Sequence, residues 1–593
     1  MPDTPTPNDV QALRRDPRTT PPRRPTAPTP ALRSWTTQIG ALSAVLGVLM
    51  AWVGPGLFSI DEAAYRYQGA LRQAGLWGLP YPTDPLTTQR LGAPLANSLL
   101  TDSQWFPYAS HPLVPELVRA TMALHPTYGP LALSAIGTVM AAVGIERLTR
   151  WARGSDHDGS TPFVAFWVTG LASPLLIQGL IAWAHAPAVG AAALGASLVV
   201  APPGGPGAPC GAGAEVARHL RSTGIGLGLL ALTPLFRTEA VLFAAALGVG
   251  LAWLEWREGR RWWPRASAVA AATGAGLMLD TWWRARVVGQ TSAAAETGLT
   301  MDAVERLSIV SDLILAPGSG PLASLRAVAA IVLVAAAIWL RRRPEEATIA
   351  HVLVGSACAC ALIGSWTATA YPGLLVAVPA IVVAAALRSP LPAARREFLL
   401  IVTVLAVAAP AVTAPYPPGL DWGGRYVLMA LTTALPFVIA GLERAARSGA
   451  AAIVVGVAIV TALGQVAGIR TLTASHDASV EISAHLATTL PAITGDPTDV
   501  DGVRGAAVDV IVTTDVRLGR LVPAVAASVP MISAEPDTPG EVIATALGPN
   551  PELDRVAVAR LFAAPTQDLG PAWRIDRRWA TEWLHVVEYV RNP

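Results

Sequence analysis

The stretch Gln38–Gln68, QIGALSAVLGVLMAWVGPGLFSIDEAAYRYQ, decides how the chain is read. Its first part, roughly Gln38–Phe58, is apolar and long enough to cross a hydrocarbon layer of about 30 Å. It is too long for a signal-peptide core and no A-x-A-like cleavage site follows, so it reads as a retained helix. Its second part, Ser59–Gln68, opens a long polar loop with two adjacent carboxylates, Asp61 and Glu62, and with Tyr65 and Tyr67. A membrane span that delivers an acidic pair to its own end puts ionisable chemistry at a membrane surface.

Working outward, the composition agrees. Of 593 residues, 52% are hydrophobic and 14% are charged, and mean hydropathy is +0.45. Soluble domains carry about 25% charged residues, so a polytopic membrane protein is the expected class. A formal net charge of +2 argues against a nucleic-acid partner. All 43 basic residues are arginine. Without lysine there is neither a Walker A lysine for nucleotide phosphates nor a Schiff-base lysine, which argues against ATP-driven transport by this chain. Three cysteines (Cys210, Cys358, Cys360) are too few for a disulfide framework. Cys358 and Cys360, two apart in an apolar run, face different sides of a helix, so no metal site is expected there.

Upstream, residues 1–34 are rich in Pro, Thr and Arg and read as a disordered cytoplasmic tail. Downstream, apolar runs at Thr127–Thr149, Pro162–Ala182, His185–Ala201, Ser222–Phe236, Ala240–Trp256, Ala266–Trp283, Leu322–Leu340, Ile349–Trp366, Pro372–Leu387, Phe398–Ala414, Tyr426–Glu443 and Gly449–Ile469 bring the count to thirteen spans. Arginine clusters fall at nearly every expected inner end, as the positive-inside rule requires. The expected topology is multi-pass in the plasma (inner) membrane, amino terminus cytoplasmic and carboxy terminus extracytoplasmic. The membrane domain covers 35–469, with a large outer loop at 59–126. Within that loop His111–Leu124 carries Leu113, Leu117, Ala120, Met122 and Leu124 at helical spacing, as an interfacial helix would. One long kinked helix across Phe236–Ala240 would invert everything downstream, and the later arginine clusters argue against it. From Arg470 to residue 593 a small extracytoplasmic α/β domain is expected, with strands at Val508–Val512, Met531–Ser533, Val556–Phe562 and His585–Val590 and helices at Leu518–Ala527 and Gly540–Leu547.

Polar residues at the ends of spans are costly and so are candidates for function. Four clusters qualify: Asp61–Glu62 with Tyr65; Tyr108-Ala-Ser-His111; Arg237-Thr-Glu239; and Asp421-Trp-Gly-Gly-Arg425-Tyr426. His185 lies close to them in a turn beside Trp183. Each has a purely structural alternative. Glu62 and Arg66 are spaced for a helical ion pair. Asp61 could cap a helix starting at Glu62. Arg237 and Glu239 could pair with each other, Arg425 could anchor its helix at the headgroups, and His111 and His185 could be polar loop and turn residues.

In their order and sidedness, the acidic pair after the first span, the His-Pro of His111-Pro112, the interfacial helix, the Arg-x-Glu and the late Gly-x-Arg-Tyr resemble the GT-C superfold of membrane glycosyltransferases. Protein O-mannosyltransferases, aminoarabinose transferases and bacterial dolichyl-phosphate-mannose-type transferases are the nearest in kind. The resemblance implies a GT-C-like bundle and transfer of a sugar, hexosyl or pentosyl, from a polyprenyl-phosphate donor to an extracytoplasmic glycan, lipid or protein. It implies Asp61 as general base with Glu62 beside it in the catalytic pair, and Arg237 and Arg425 against the donor phosphate. Tyr65, His111, His185, Glu239, Asp421 and Tyr426 would line the substrate pocket. Some relatives use a divalent cation and others do not; Asp-Glu in place of Asp-x-Asp leaves the cation open, and no residue is assigned as a metal ligand. The competing class is a transporter or flippase of a lipid or small solute. It would show internal repeats and charges near the midplane, and neither is evident in the sequence. A non-catalytic scaffold would leave the clustered Asp, Arg and His residues without a role.

Overall fold

The computed structural model describes residues 34–80, 91–92, 99–101, 104–108, 110–154, 160–201, 212–288, 374–378, 390–413, 424–447, 451–494, 508–514, 531–534, 537–548, 553–561, 567–580 and 584–593, with isolated positions elsewhere. Helix α1 (Trp35–Val53) starts on the Ser34 hydroxyl, which accepts from the Thr37 amide at 3.2 Å, and stops at Gly54, whose φ of 86° suits glycine. After residues 54–58 the next helix, α2 (Ile60–Gln73), begins the same way: Ser59 accepts from the Glu62 amide. The cap is therefore Ser59 and not Asp61. Both acids sit in the first turn, where unsatisfied amides and the helix dipole favour negative charge.

The loop that follows has short strands β1 (Leu79–Pro80), β2 (Leu91–Gly92), β3 (Leu99–Thr101) and β4 (Gln104–Phe106). Strands β1, β4 and β3 form a small antiparallel sheet. The expected interfacial helix is α3 (Leu113–Leu124); it buries Val114, Pro115 and Val118 against α2. Gly69 of α2 permits this contact, since a Cβ there would lie 2.6 Å from Val118 Cγ1.

The bundle continues with α4 (Gly129–Arg153), α5 (Ser160–Leu171), α6 (His185–Val200), α7 (Ala212–Leu232), α8 (Ala240–Arg257), α9 (Trp263–Val288), α10 (Ala393–Thr413), α11 (Leu431–Arg447) and α12 (Ala451–Thr494). Helices α4 and α6 meet backbone to backbone. A Cβ on Gly137 would lie 2.3 Å from the Pro187 nitrogen, and one on Gly144 2.4 Å from the Ala193 carbonyl carbon. Small residues at such crossings let van der Waals packing hold helices together where lipid removes the hydrophobic drive.

Six stretches of the described residues are long and apolar enough to cross a membrane: Trp35–Val53, Gly129–Arg153, Ala240–Arg257, Ala393–Thr413, Arg425–Arg447 and Val454–Glu481. Ser160–Leu171 and His185–Val200 are shorter apolar helices. The expectation of thirteen full spans is thus met only in part. The run Pro162–Ala182 is not one helix: α5 stops before Pro174, and a single turn, Leu175–Gln178, follows. The runs at Ser222–Phe236 and Ala266–Trp283 fall in α7 and α9, which carry charged residues within their length. The runs at Leu322–Leu340 and Ile349–Trp366, and most of Pro372–Leu387, lie outside the described residues. Between α7 and α8 the chain breaks: a 3₁₀ turn, Thr233–Leu235, leads into Arg237-Thr238-Glu239, so these are two helices rather than one kinked one.

Helix α12 runs unbroken from its apolar half past Arg470 to Thr494. Beyond it, β5 (Val510–Thr513), β6 (Met531–Ala534), β7 (Arg555–Leu561), β8 (Trp573–Ala580) and β9 (Leu584–Arg591), with helix α13 (Gly540–Leu547), build an α/β unit. The sheet order is β2-β6-β5-β7-β9-β8, with β5 parallel to both β6 and β7. Two strands of this sheet were not anticipated. The alternation of β8 is hidden by Arg574, Asp576, Arg577 and Arg578, and β2 comes from the first loop, pairing Leu91 with Ala534 and Gly92 with Ser533. Of the expected helix at Leu518–Ala527, all but Leu518 lies outside the described residues.

Candidate active site

The acidic turn of α2 is fixed from three sides. The Trp183 indole donates to Ser59 Oγ at 2.6 Å. Glu62 is fully buried; it accepts from the Phe58 amide at 2.9 Å, the Ala182 amide at 3.1 Å and Arg66 Nη2 at 3.2 Å. From the third side, α12 seats residues 54–58. Ser479 Oγ accepts from the Leu57 amide at 2.7 Å, His476 Nδ1 lies 3.0 Å from the Gly54 carbonyl, and Gly56 sits directly on the His476 backbone. These α12 residues fall beyond Ile469, in the stretch expected to belong to a separate domain, which is why sequence reasoning passed over them.

With Glu62 so engaged, Asp61 is the acid that faces the other charged groups. Arg425 Nη1 donates to Asp61 Oδ2 at 3.1 Å across 364 residues of sequence. Gly424, with φ of 66°, turns the chain so that the 3₁₀ segment Arg425–Ala430 begins at this point. Arg425 also donates to the Tyr426 hydroxyl at 3.0 Å, and its guanidinium lies 4.9 Å from the Tyr426 ring and 5.9 Å from that of Trp183. Arg237 approaches the same Tyr426 ring at 6.0 Å, so one aromatic ring has both guanidiniums beside it. Arg237 holds Glu239 in a fork, Nε to Oε2 at 3.1 Å and Nη2 to Oε1 at 2.5 Å. Burial pushes the Glu239 carboxyl up, but the Arg237 charge and these bonds outweigh it and hold the group below its ordinary value.

Behind Asp61, Tyr65 packs edge-on against Tyr108 with centroids 4.5 Å apart. Burial, and then the charge of Asp61, push the Tyr65 phenol up to about 12, so it remains a proton-bearing donor at neutral pH. Gln68 ties the loop down, accepting from the Tyr108 amide at 3.1 Å and donating to the Trp77 carbonyl at 2.6 Å. His185 opens α6 with its ring 5.1 Å from Trp183; it is buried, and neither ring nitrogen has a hydrogen-bond partner among the described residues.

Asp61, Tyr65, Arg237, Glu239, His185, Arg425 and Tyr426 therefore lie around one wall of aromatic rings. Asp421 lies outside the described residues. His111 meets the group at its edge, with Nε2 3.5 Å from Thr238 Oγ1 and Nδ1 3.3 Å from Asp280 of α9. Asp280 was missed, although a lone carboxylate in the run Ala266–Trp283 is the kind of signal that an intramembrane charge provides. Asp61 and Glu62 each face a guanidinium, Arg425 and Arg66 respectively. Among the described residues no group of three or more His, Cys, Asp or Glu side chains comes together.

No protein-family model matches the chain, and no curated protein matches it in sequence. Solved structures do align with it over most of its length. ArnT from Cupriavidus metallidurans bound to undecaprenyl phosphate aligns at 11% identity over 94% of this chain and 98% of that one, with a TM-score of 0.47. The oligosaccharyltransferase AglB from Archaeoglobus fulgidus, in complex with an inhibitory peptide and a dolichol-phosphate, aligns at 13% identity over 88% of this chain and 70% of that one, with a TM-score of 0.45. Both are GT-C membrane glycosyltransferases, the group that the ordered motifs resemble.

Proposed function

We propose that the chain is an integral membrane glycosyltransferase of GT-C type that moves a sugar from a polyprenyl-phosphate donor to an extracytoplasmic acceptor. The observation that carries this reading is the Asp61–Arg425 pair at the membrane end of the first span, with Arg237 across the shared Tyr426 ring. A carboxylate set against two guanidiniums is what an inverting transfer from a sugar phosphate requires. Asp61 takes the acceptor proton, and the arginine forks balance the phosphate charge as the anomeric bond breaks. Glu62 serves here as a positioning residue, since its oxygens are already taken by two amides and Arg66. His185, with two buried unpartnered nitrogens, is a polar contact for the bound donor. The acceptor class is a cell-wall glycan, lipid or protein, and the site faces the extracytoplasmic side.

The test uses purified full-length protein with polyprenyl-phosphate sugars, comparing wild type with Asp61→Asn. General-base loss costs about 10²–10⁴-fold in rate. Wild type that releases no sugar from any such donor sinks the transferase reading, whereas full activity in Asp61→Asn sinks only the base assignment.

A further inference from the structure

Asp280 is a carboxylate in the interior of α9, 3% exposed. An intramembrane acid is expensive unless it is paired and used. Its place is set by packing one turn earlier: Gly276 presses on α7 so closely that a Cβ would lie 1.9 Å from the Ala231 carbonyl oxygen. This contact holds α9 against the end of α7, where the chain turns through Arg237-Thr238-Glu239. Asp280 Oδ2 lies 3.3 Å from His111 Nδ1, an ion-pair distance without hydrogen-bond geometry, and neither that nitrogen nor Asp280 Oδ1 has a hydrogen-bond partner among the described residues. The opposite ring nitrogen, His111 Nε2, lies 3.5 Å from Thr238 Oγ1. Thr238 itself is exposed, and it sits between the arginine and the glutamate of the forked pair. The charge of His111 is felt at Glu239 as well. A buried acid thus orients a buried imidazole, and the imidazole presents its far nitrogen to the exposed turn that carries Arg237. With the carboxylate beside Nδ1, Nε2 is the ring nitrogen that faces the turn and can meet a ligand there.

We propose that His111, oriented by Asp280, is the proton donor to the leaving phosphate, at the opposite end of the reaction from Asp61. The proposal rests on the transferase reading above. The acceptor oxygen bonds to the anomeric carbon and gives its proton to Asp61. The bond from that carbon to the phosphate oxygen breaks, and its electron pair stays on the phosphate. That oxygen takes the proton from His111 Nε2. Before transfer, the charge of a doubly protonated ring is balanced by Asp280; afterwards, proton exchange with solvent resets His111 and Asp61. Thr238 marks where the phosphate oxygen docks, because its hydroxyl is the exposed polar atom next to Nε2.

The test uses full-length protein in lipid nanodiscs, with His111→Gln and Asp280→Asn beside wild type and Asp61→Asn. Two donors are compared: a polyprenyl-phosphate sugar, and the same sugar on a lipid phosphate made a better leaving group by fluorine on the lipid's first carbon. With the ordinary donor we expect His111→Gln to lose about 10²–10⁴-fold in kcat, and Asp280→Asn to lose less, in the same direction. Donor affinity should stay within threefold. With the fluorinated donor the His111→Gln deficit should shrink at least tenfold, because a better leaving group needs less help, whereas the Asp61→Asn deficit should not shrink. An equal His111→Gln deficit with both donors, or a loss confined to donor affinity, overturns the proposal and leaves the transferase reading standing. So does a deficit below threefold. A wild type that transfers from neither donor overturns both.

Discussion

The two ends of the helix bundle both carry arginine–carboxylate pairs, and they use them differently. At one end Arg150 pairs with Glu146, Arg447 with Glu443 and Arg257 with Glu397; these arginines are 58%, 61% and 44% exposed. Two of the three pairs span a single helical turn, and at the same end Arg395 only braces the Trp151 carbonyl at 2.5 Å. At the other end Asp61–Arg425 joins segments 364 residues apart, with the two side chains 11% and 19% exposed, and Trp183, Tyr65, Tyr108 and Tyr426 wall the group in. The first kind of pair costs little and orients helices at a headgroup layer. The second kind gives up hydration, and burial strengthens its interactions with a charged ligand. Burial and sequence separation do not by themselves tell the ends apart, since Arg153–Glu443 at the first end joins residues 290 apart with side chains 3% and 18% exposed; what sets the Asp61 end apart is the wall of aromatic rings around its guanidiniums.

The largest effect expected from this contrast is at Arg425. We predict that Arg425→Gln lowers transfer by at least about 100-fold, since removing one charge of a buried pair strands Asp61 and, on the proposed function, would also delete a phosphate contact. Arg425→Lys should recover only part of this, because an ammonium cannot reproduce the planar fork. Rates measured with a polyprenyl-phosphate sugar decide it; transfer within threefold of wild type in Arg425→Gln would remove the distinction between the two ends.

A smaller and different effect belongs to Glu62. Its oxygens accept from the buried Phe58 and Ala182 amides. Glu62→Gln should destabilise the folded protein by about 1–3 kcal/mol, the usual cost of leaving a buried donor unsatisfied. Thermal unfolding in detergent reads this directly. An unchanged midpoint, with activity lost, would move Glu62 from positioning back to chemistry.

These residues also show how far the sequence could be read. The first span, the acidic turn, the interfacial helix and four of the strands were legible because each is a local pattern of periodicity or capping. Arg237, Arg425 and Asp61 were singled out as polar residues at the ends of apolar runs, and the structure brings them together around Tyr426 and Asp61. What paired with what was not legible. Asp61–Arg425 depends on how α2 meets the turn at Gly424, and the Leu91–Gly92 strand is two residues long and gains its partner only from a sheet more than 400 residues away. The division of work between Asp61 and Glu62 was also hidden: it is decided by the Ala182 amide, 120 residues on from Glu62. His476 and Ser479 were hidden for the opposite reason: they lie after the change of composition at Arg470, on a helix that continues through it to Thr494.

The Arg237–Glu239 fork gives a pH test of the same contrast. Glu239 is held below its ordinary value. A carboxyl lowered on folding contributes stability that is present above its unfolded value, near 4.5, and lost as pH falls through its folded value. The midpoint difference between wild type and Glu239→Gln should therefore be full at pH 7 and shrink as pH is lowered below about 4.5. A difference that stays constant down to pH 3 would mean that the fork contributes through shape and not through charge.

The smallest effect is expected at the exposed end, and it is as informative as the largest. Arg257 reaches Glu397 Oε2 at 3.2 Å, and Trp253 donates to the same oxygen at 3.2 Å, so the pair has a geometry no worse than that of Asp61–Arg425. If geometry set the energy, Arg257→Gln would cost as much as Arg425→Gln. If solvent exposure sets it, the cost is about 0–1 kcal/mol, because water screens the pair and replaces what is lost. We predict the second outcome, with transfer within twofold of wild type and the unfolding midpoint nearly unchanged. The residual effect should fade further in about 1 M salt, where the screening length drops to about 3 Å. A large, salt-independent loss in Arg257→Gln would mean that Arg257–Glu397 behaves like the buried Arg153–Glu443 pair at the same end, and not like a solvent-screened contact.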